Sequence, residues 1–426
     1  MALFRNGNGI AWARRRALVW ALFALAFCAA MNIYHYSLQG ARGLYLWDKT
    51  WLFRILILMG LLPLGLLALS LPLEKIKTKA PSKLLRGFSL VSSFLVSLAS
   101  LGILAFLIAA PRMGELRKAD LNLIDPSIKL ESSSRLYDDQ EMLLRLSVGS
   151  DAHWGTEKTD SNARSNILAT IAENKPDLFF LLGDTVETGS SVSQWNAALS
   201  DLSAIVPKVP LRPLMGNHDA LFGGQYLFKK AFFPEVFSSD SGSPYYYSIE
   251  TKVATLVALN LPWGTENFDR KQRTWLEEVL KTADPLKPII VFSHSYFYAS
   301  GYDDPDLDKP WYDHYQNIPA LTPIFERYGV DLVVSGHNHY MEFLEHNEVR
   351  YAIVGAMGSK SDPVPAHVSP ASKWIAVATF GHVNINITKD YIVVEFKDQL
   401  GKTLHEERIR YLPSLESGSN ERSPQA

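Results

Sequence analysis

Short apolar runs, each followed at once by an aspartate, asparagine or histidine, recur along this chain from residue 143 onward. The clearest are LLRLSVGSD (Leu143 to Asp151), DLFFLLGD (Asp177 to Asp184), IIVFSH (Ile289 to His294) and VDLVVSGH (Val330 to His337). Apolar runs of this length are typical of buried β-strands. The stretches ARSNILATIAENK (Ala163 to Lys175) and RKQRTWLEEVLK (Arg270 to Lys281) predict helices between them, and Asp269 is the expected N-cap of the second. Strands that alternate with helices predict an α/β domain with much parallel sheet.

A second set of strands is expected near the end of the chain, where no helix intervenes. The segments are VRYAIVGA, HVNINIT and YIVVEF, and they predict mixed pairing with the parallel strands. The domain is therefore expected over residues 143–412. Residues 413–426 are polar and rich in serine, which predicts a disordered tail.

Three apolar segments precede this domain, at about residues 17–34, 51–73 and 88–110. A helix needs roughly 20 apolar residues to cross a bilayer, so each segment predicts a transmembrane helix. The first segment alone could instead be a signal peptide, because ARRR precedes it and small residues follow. Two further apolar segments come directly after it, which favours a retained membrane anchor over residues 17–110.

The basic residues in the short connections predict the orientation of this anchor. They are concentrated in the leader, residues 1–16 (Arg5, Arg14, Arg15 and Arg16), and between the second and third segments (Lys75, Lys77, Lys79, Lys83 and Arg86). Both stretches are therefore expected in the cytoplasm. Three spans that start inside would place the linker, residues 111–142, and the domain on the extracytoplasmic side. The spans contain no acidic or histidine relay, which disfavours a transporter.

Composition disfavours several other classes of protein. The chain has 426 residues, of which 47% are hydrophobic, and this is ample for a folded core. Its formal net charge of -2 gives no basic footprint, so a nucleic-acid partner is not expected. Its one cysteine, Cys28, lies in the first apolar segment, so one chain can build neither a disulfide framework nor a thiolate metal cluster.

Polar side chains where the apolar runs stop form a set of metal ligands. They are Asp151, His153, Asp184, Asn217, His218, Asp219, His294, His337 and His339. Ligand sites in such sheets gather at the carboxyl ends of the strands, so these groups should converge. Oxygen and imidazole ligands without thiolate suit Mn, Fe, Zn or Ni. His337 and His339 would lie roughly 6.5 to 7 Å apart on one side of an extended segment, so each could bind a different ion.

Five motifs in this order resemble those of the calcineurin-like metallophosphoesterases. They are DAH (Asp151 to His153), GD (Gly183, Asp184), GNHD (Gly216 to Asp219), VFSH (Val291 to His294) and GHNH (Gly336 to His339). The resemblance covers about residues 143–363. It implies a four-layer αββα sandwich, preceded here by the three transmembrane helices.

The resemblance also implies a site with two divalent or mixed-valence metal ions. The first ion would be held by Asp151, His153 and His339, the second by Asn217, His294 and His337, with Asp184 bridging both. A metal-bound hydroxide would attack phosphorus in a phosphomonoester or phosphodiester. His218 would contact the phosphate or protonate the leaving oxygen, and Asp219 would orient it.

This sequence differs from two subfamilies of the metallophosphoesterases at positions characteristic of them, which narrows the branch that it resembles. Purple acid phosphatases have a tyrosine three residues after the bridging aspartate, where this chain has Glu187. Serine/threonine protein phosphatases have arginines where Thr188 and Met215 stand, so phosphoprotein substrates are disfavoured. The phrases YYYSIE and YGVDLVVSGHNHY are most similar to the acid-phosphatase-like branch.

The sequence thus predicts a membrane-anchored dinuclear phosphoesterase, and the alternative is a non-catalytic scaffold that keeps the fold. Every ligand position is filled, which favours the enzyme. The substrate stays open among lipid headgroups, envelope precursors and nucleotides. The aromatic and acidic residues 296–317 are either a substrate lid or a solvated insertion.

Overall fold

The computed structural model describes residues 115–117, 121, 142–156, 159–205, 209–233, 239–304 and 309–411, with isolated positions between residues 18 and 102. Apart from those positions, the predicted leader, apolar segments and linker lie largely outside the described residues, as does the tail. No helix within the described part is both long and apolar enough to cross a membrane. The chain divides into two compact units, Met1–Met113 and Gly114–Ala426, and the second contains the predicted α/β domain.

Helices occur between the strands up to β7, and strands alone follow it. The strands are β1 (Met142–Gly149), β2 (Leu178–Leu181), β3 (Leu211–Pro213), β4 (Tyr247–Glu250), β5 (Thr255–Ala258), β6 (Ile289–Ser293), β7 (Leu332–Ser335), β8 (Met341–His346), β9 (Val349–Val354), β10 (Ser372–Ala376), β11 (Gly381–Thr388), β12 (Tyr391–Asp398) and β13 (Thr403–Arg410). The helices are α1 (Ser161–Asn174), α2 (Val192–Ile205), α3 (Asn217–Ala220), α4 (Gln225–Phe232), α5 (Arg270–Thr282) and α6 (Asn317–Tyr328). The expected N-cap of α5 is confirmed, since the Asp269 carboxylate accepts a hydrogen bond from the Gln272 N–H at 2.8 Å.

The strands form two mixed sheets. The first has the order β13-β12-β11-β1-β2-β3, and the second has the order β10-β8-β9-β7-β6-β5-β4. Strands β1, β2 and β3 pair in parallel, as do β5, β6, β7 and β9. The later strands pair antiparallel, as β11 does with β1. The prediction of an α/β domain with parallel strands and mixed pairing is therefore confirmed.

Apolar side chains cluster in three places, one between the sheets and one on the outer face of each. Between the sheets, the rings of Phe180 and Phe292 stack with centroids 3.9 Å apart. Trp195 of α2 and Phe228 of α4 pack on the first sheet, and Phe325 of α6 packs on the second. Since each cluster joins two adjacent layers, helices, sheet, sheet and helices follow one another as the predicted αββα sandwich requires.

Candidate metal centre

The predicted ligands follow parallel strands of both sheets. Asp151 and His153 come after β1, Asp184 after β2 and His294 directly after β6. Asn217 follows β3 and begins α3, and His337 and His339 lie between β7 and β8. Because parallel strands end on the same side of a sheet, the fold delivers these side chains to one region.

The backbone at this region adopts an uncommon conformation. Asp151, His153, Asp184 and His337 have φ angles of 55°, 44°, 48° and 72°. Left-handed backbone is uncommon for residues other than glycine, although Asp and His adopt it more readily than most, and residues held in such conformations cluster at functional sites. Gly216 is required next to them, because a Cβ atom there would lie 2.2 Å from the Oδ1 atom of Asp184.

One group of ligand atoms consists of Asp151, His153 and His339, and these atoms lie within 4.8 Å of one another. The Nε2 atom of His339 is 3.5 Å from Oδ1 of Asp151, and Nε2 of His153 is 4.0 Å from it. The Nδ1 atom of His153 donates to Oε2 of Glu187 at 2.8 Å, and Nδ1 of His339 donates to the Lys360 carbonyl at 2.6 Å. Since each Nδ1 is used as a donor, the Nε2 atom of either ring, when neutral, would direct its lone pair toward the Asp151 carboxylate.

Asp184, His294 and His337 form a second group under the same distance limit. The Nδ1 atom of His294 donates to the Leu182 carbonyl at 2.7 Å, so the proton of the neutral ring lies there. Its Nε2 atom then faces Oδ1 of Asn217 at 2.8 Å, Nδ1 of His337 at 3.0 Å and Oδ1 of Asp184 at 3.5 Å. In the neutral ring the Nε2 lone pair faces two oxygen acceptors, Oδ1 of Asn217 and Oδ1 of Asp184, and a cation or a proton between them would relieve this repulsion.

Asp184 lies between the two groups. Its Oδ1 atom is near Nε2 of His294, and its Oδ2 atom is 3.5 Å from Nε2 of His153. Among the described residues, Oδ1 of Asp151 and Nε2 of His153 are buried and have no hydrogen-bond partner. Unpaired buried acceptors are costly, and a metal ion would satisfy both. The residues present therefore fit a metal centre.

The titration behaviour of the centre reflects its excess of buried negative charge. Burial alone would raise the pKa of Asp184, but the nearby His294 and His218 hold that pKa well below its usual range. Burial alone would lower the pKa of His294, but the Asp184 carboxylate raises it to about 9. The pKa of His339 is raised to about 10 against burial, because the ring interacts with Asp151. Protons thus supply the positive charge that metal ions would otherwise provide.

His218 lies at the edge of the centre, with 27% of its side chain exposed. Its backbone N–H donates to Oδ1 of Asp184 at 2.8 Å, and its Nδ1 atom donates to the Glu187 carbonyl at 2.8 Å. The ring centroid is 4.6 Å from that of His153. His218 is therefore held next to the first group with one face open to solvent.

The expectation that Asp219 orients His218 is wrong. The Asp219 carboxylate accepts hydrogen bonds from the Gly216 and Val186 N–H groups, both at 3.0 Å. Successive residues of a helix do not face each other, so Asp219 points away from the His218 ring. Burial and the nearby Asp184 raise the pKa of Asp219 to about 7. Asp219 therefore connects the loops that carry Gly216 and Val186. The ring of His218 is held instead by the Glu187 carbonyl.

Glu187 is the functional residue that sequence reasoning missed. The sequence shows it only as a residue that replaces a tyrosine of purple acid phosphatases. Its carboxylate accepts from His153, its carbonyl accepts from His218, and its Oε1 atom is 3.9 Å from Nδ1 of His218. A carboxylate that accepts from a ligand histidine fixes the ring and makes the ligand more basic.

Comparisons with known proteins agree with this geometry. Residues 145–341 match the family model described as calcineurin-like phosphoesterase. The purple acid phosphatase PPD1 from yellow lupin (Lupinus luteus) seeds aligns with a TM-score of 0.55 and 16% identity, over 63% of this chain and 53% of that chain. PhoD aligns with a TM-score of 0.47 and 12% identity, over 62% of this chain and 68% of that chain. GAP50, the anchor in the inner membrane complex of Plasmodium, aligns with a TM-score of 0.44 and 16% identity, over 63% of this chain and 88% of that chain. No curated protein sequence matches the chain.

The family match indicates a calcineurin-like phosphoesterase domain over residues 145–341. The likeness to the lupin protein shows a shared fold, and this chain spans about half of that protein's length. The family uses divalent metal ions, in agreement with the groups of candidate ligand atoms, of which His153, Glu187 and His218 form a third.

Metal binding should release protons at pH 7. The raised pKa values of His294 and His339, about 9 and about 10, keep both rings protonated in the metal-free protein. A metal ion needs the lone pairs, so affinity should rise with pH until these rings are neutral. Titration calorimetry with Mn²⁺ in buffers of different ionisation enthalpy measures the protons released. Heats that do not depend on the buffer would contradict this prediction.

Substitution of Glu187 should weaken metal binding more in Glu187→Ala than in Glu187→Gln. The alanine removes the acceptor for Nδ1 of His153, whereas the glutamine keeps a side-chain oxygen there. Loss of such a partner typically costs about 10–100-fold in metal affinity. Equilibrium dialysis measures the dissociation constant, with the α1 variant Glu173→Ala as control. Equal constants for Glu187→Ala and the control would exclude the role given to Glu187.

Proposed function

We propose, on the premise that residues 145–341 form a calcineurin-like phosphoesterase domain, that this chain hydrolyses phosphoesters at a centre of two metal ions. The supporting observation is that two groups of ligand atoms share one carboxylate. Asp184 lies 3.5 Å from a histidine nitrogen of each group, namely Nε2 of His153 and Nε2 of His294. One bridging carboxylate between two imidazole-rich groups is the arrangement that a pair of divalent ions requires.

In this proposal the first ion is held by Asp151, His153 and His339, and the second by Asn217, His294 and His337, with Asp184 shared. Mn, Fe, Zn and Ni all suit these ligands. When bound, two such ions would neutralise charge on the phosphoryl oxygens and lower the pKa of a coordinated water toward neutrality.

The chain's own residues provide orientation and proton transfer. The carbonyls of Leu182 and Lys360 fix the rings of His294 and His339 by accepting their Nδ1 protons. Glu187 fixes the His218 ring in the same way, so Nε2 of His218 is left to meet the substrate. From there His218 would contact the phosphate or protonate the leaving oxygen.

Hydrolysis of a chromogenic phosphoester should be lost in Asp184→Asn and in His218→Ala. The first substitution removes the charge shared by both groups, and the second removes the candidate proton donor. General acid catalysis is typically worth about 10²–10⁴-fold in rate, so His218→Ala should lose at least the lower amount. The control is His405→Ala, in which the lost ring stacks on Trp374 in the strand region. Turnover equal to wild type in both site variants would refute the proposal.

We also propose that residues 17–110 anchor this domain in a membrane, with the leader in the cytoplasm and the domain outside it. The support is the length and apolarity of three segments and the basic residues in the leader and in the second connection. A substrate at the membrane, lipid-linked or derived from the envelope, would then be within reach of the site.

The proposed orientation should make a C-terminal reporter silent if that reporter works only in the cytoplasm. A fusion after residue 426 should give no signal, whereas a fusion of the same reporter after residue 80, in the basic connection, should be active. The basic residues of that connection are expected to keep it inside. Activity of the reporter after residue 426 would reject the orientation.

A further inference from the structure

The chain between β6 and α6, here called the β6–α6 segment (residues 295–304 and 309–316), lies against the metal centre. The sequence is compatible with either a lid or a solvated insertion here. The first part of the segment is buried: Tyr296 is 4% exposed, Phe297 1%, Ala299 0% and Ser300 0%. A solvated insertion would not bury a consecutive run of this kind.

The segment is held by backbone hydrogen bonds of its own. Gly301 and His367 exchange two bonds of 2.7 and 2.8 Å, and Tyr302 and Trp311 exchange two of 3.1 and 2.7 Å. The His314 N–H donates to the Phe297 carbonyl at 2.7 Å. These bonds join the two arms of the segment to each other and to the chain after β9. Paired backbone hydrogen bonds of this kind are typical of a short β-sheet and not of a mobile loop.

Two aromatic rings of the segment enclose His337. The Tyr296 ring lies nearly parallel to the His337 ring, with centroids 5.8 Å apart and an angle of 22°. The Trp311 ring is 5.1 Å from it at 32°. The indole Nε1 of Trp311 also donates to Oδ1 of Asn338 at 2.7 Å. Trp311 therefore contacts the residue between the two histidines of GHNH as well as one of those histidines.

A second connection reaches His339 through Asp362. The Tyr302 hydroxyl donates to Oδ1 of Asp362 at 3.2 Å, and Oδ2 of Asp362 accepts from the His339 N–H at 2.7 Å. The His339 ring is held on its other side by the Lys360 carbonyl. The backbone and the ring of this histidine are thus fixed by the same short stretch, residues 360–362, which Tyr302 braces.

We propose that the β6–α6 segment is a fixed wall of the metal centre, and that Trp311 and Tyr302 are positioning residues for His337 and His339. The role of these two residues rests on the proposed function, whereas the fixed wall does not. Solvent reaches the site at His218 and Glu187, whose side chains are 27% and 39% exposed. Substrate enters past His218, and the wall does not move to admit it.

Hydrogen exchange tests the wall without any need for activity or metal. The amides of Gly301, Tyr302, Trp311 and His367 should exchange slowly in the full chain with neither metal nor phosphate present, because each donates to a backbone carbonyl. Addition of Mn²⁺ and inorganic phosphate should leave these rates unchanged. Fast exchange that becomes slow only after that addition would show a lid and overturn the proposal.

Two variants test the positioning role. Trp311→Phe keeps a ring but loses the bond to Asn338, and Tyr302→Phe loses the bond to Asp362. Both should weaken Mn²⁺ binding by about 10-fold, the lower end of the range for residues that support ligands. Both should also lower kcat at saturating Mn²⁺ while leaving KM unchanged.

Matched controls are Trp275→Phe, which loses a similar indole bond of 2.8 Å to Asp240, and Tyr245→Phe, which loses a hydroxyl bond to the Gln225 carbonyl. Metal affinities of Trp311→Phe and Tyr302→Phe equal to these controls would overturn the positioning role. A wild-type chain that binds no metal would overturn the proposed function and with it that role, while the exchange experiment would still decide whether the wall is fixed.

Discussion

The shared position of Asp184 is the constraint on which the rest of the site depends. Its carboxylate is buried, lies 3.5 Å from one histidine nitrogen of each group, and accepts the N–H of His218. A buried carboxylate next to imidazole lone pairs requires positive charge, because burial without compensation is very costly. In the metal-free protein, protons supply that charge, and the raised pKa of His294 reflects the effect of the Asp184 carboxylate on its ring. The same requirement makes the centre suited to metal ions.

The fold meets this constraint by directing parallel strands of both sheets to one region. Stacking of Phe180 on Phe292 joins β2 to β6, the strands that lead directly to Asp184 and His294. Each group takes ligands from both sheets, so packing between the sheets sets the distances within each group. Close-packed cores transmit small displacements, so the site geometry and the core are coupled. The left-handed backbone at Asp151 and Asp184 shows that the chain accepts local strain for this geometry.

Much of this was predictable, because apolar runs that end in ligand residues are a local signal. The runs became β1, β2, β6 and β7, and the ligand residues after them converged. Strand β3 has three residues, Leu211–Pro213, too few for a periodic pattern. The prediction that Asp219 orients His218 rested on their being adjacent in sequence, but adjacent residues of a helix point in different directions. Glu187 and His153 are 34 residues apart, and Tyr302 and Asp362 are 60 apart, so only the folded chain reveals these contacts.

The central claim is that two ions share Asp184, with each histidine of GHNH on a different ion. Anomalous diffraction from a crystal containing Mn²⁺ tests it directly. We expect two anomalous peaks about 3.5–4 Å apart, the separation of two-metal sites. One should lie within bonding distance of His153 and His339, and the other of His294 and His337. A single peak bonded to both His337 and His339 would show that the two histidines share one ion, and it would exclude the two-ion centre even with the fold unchanged.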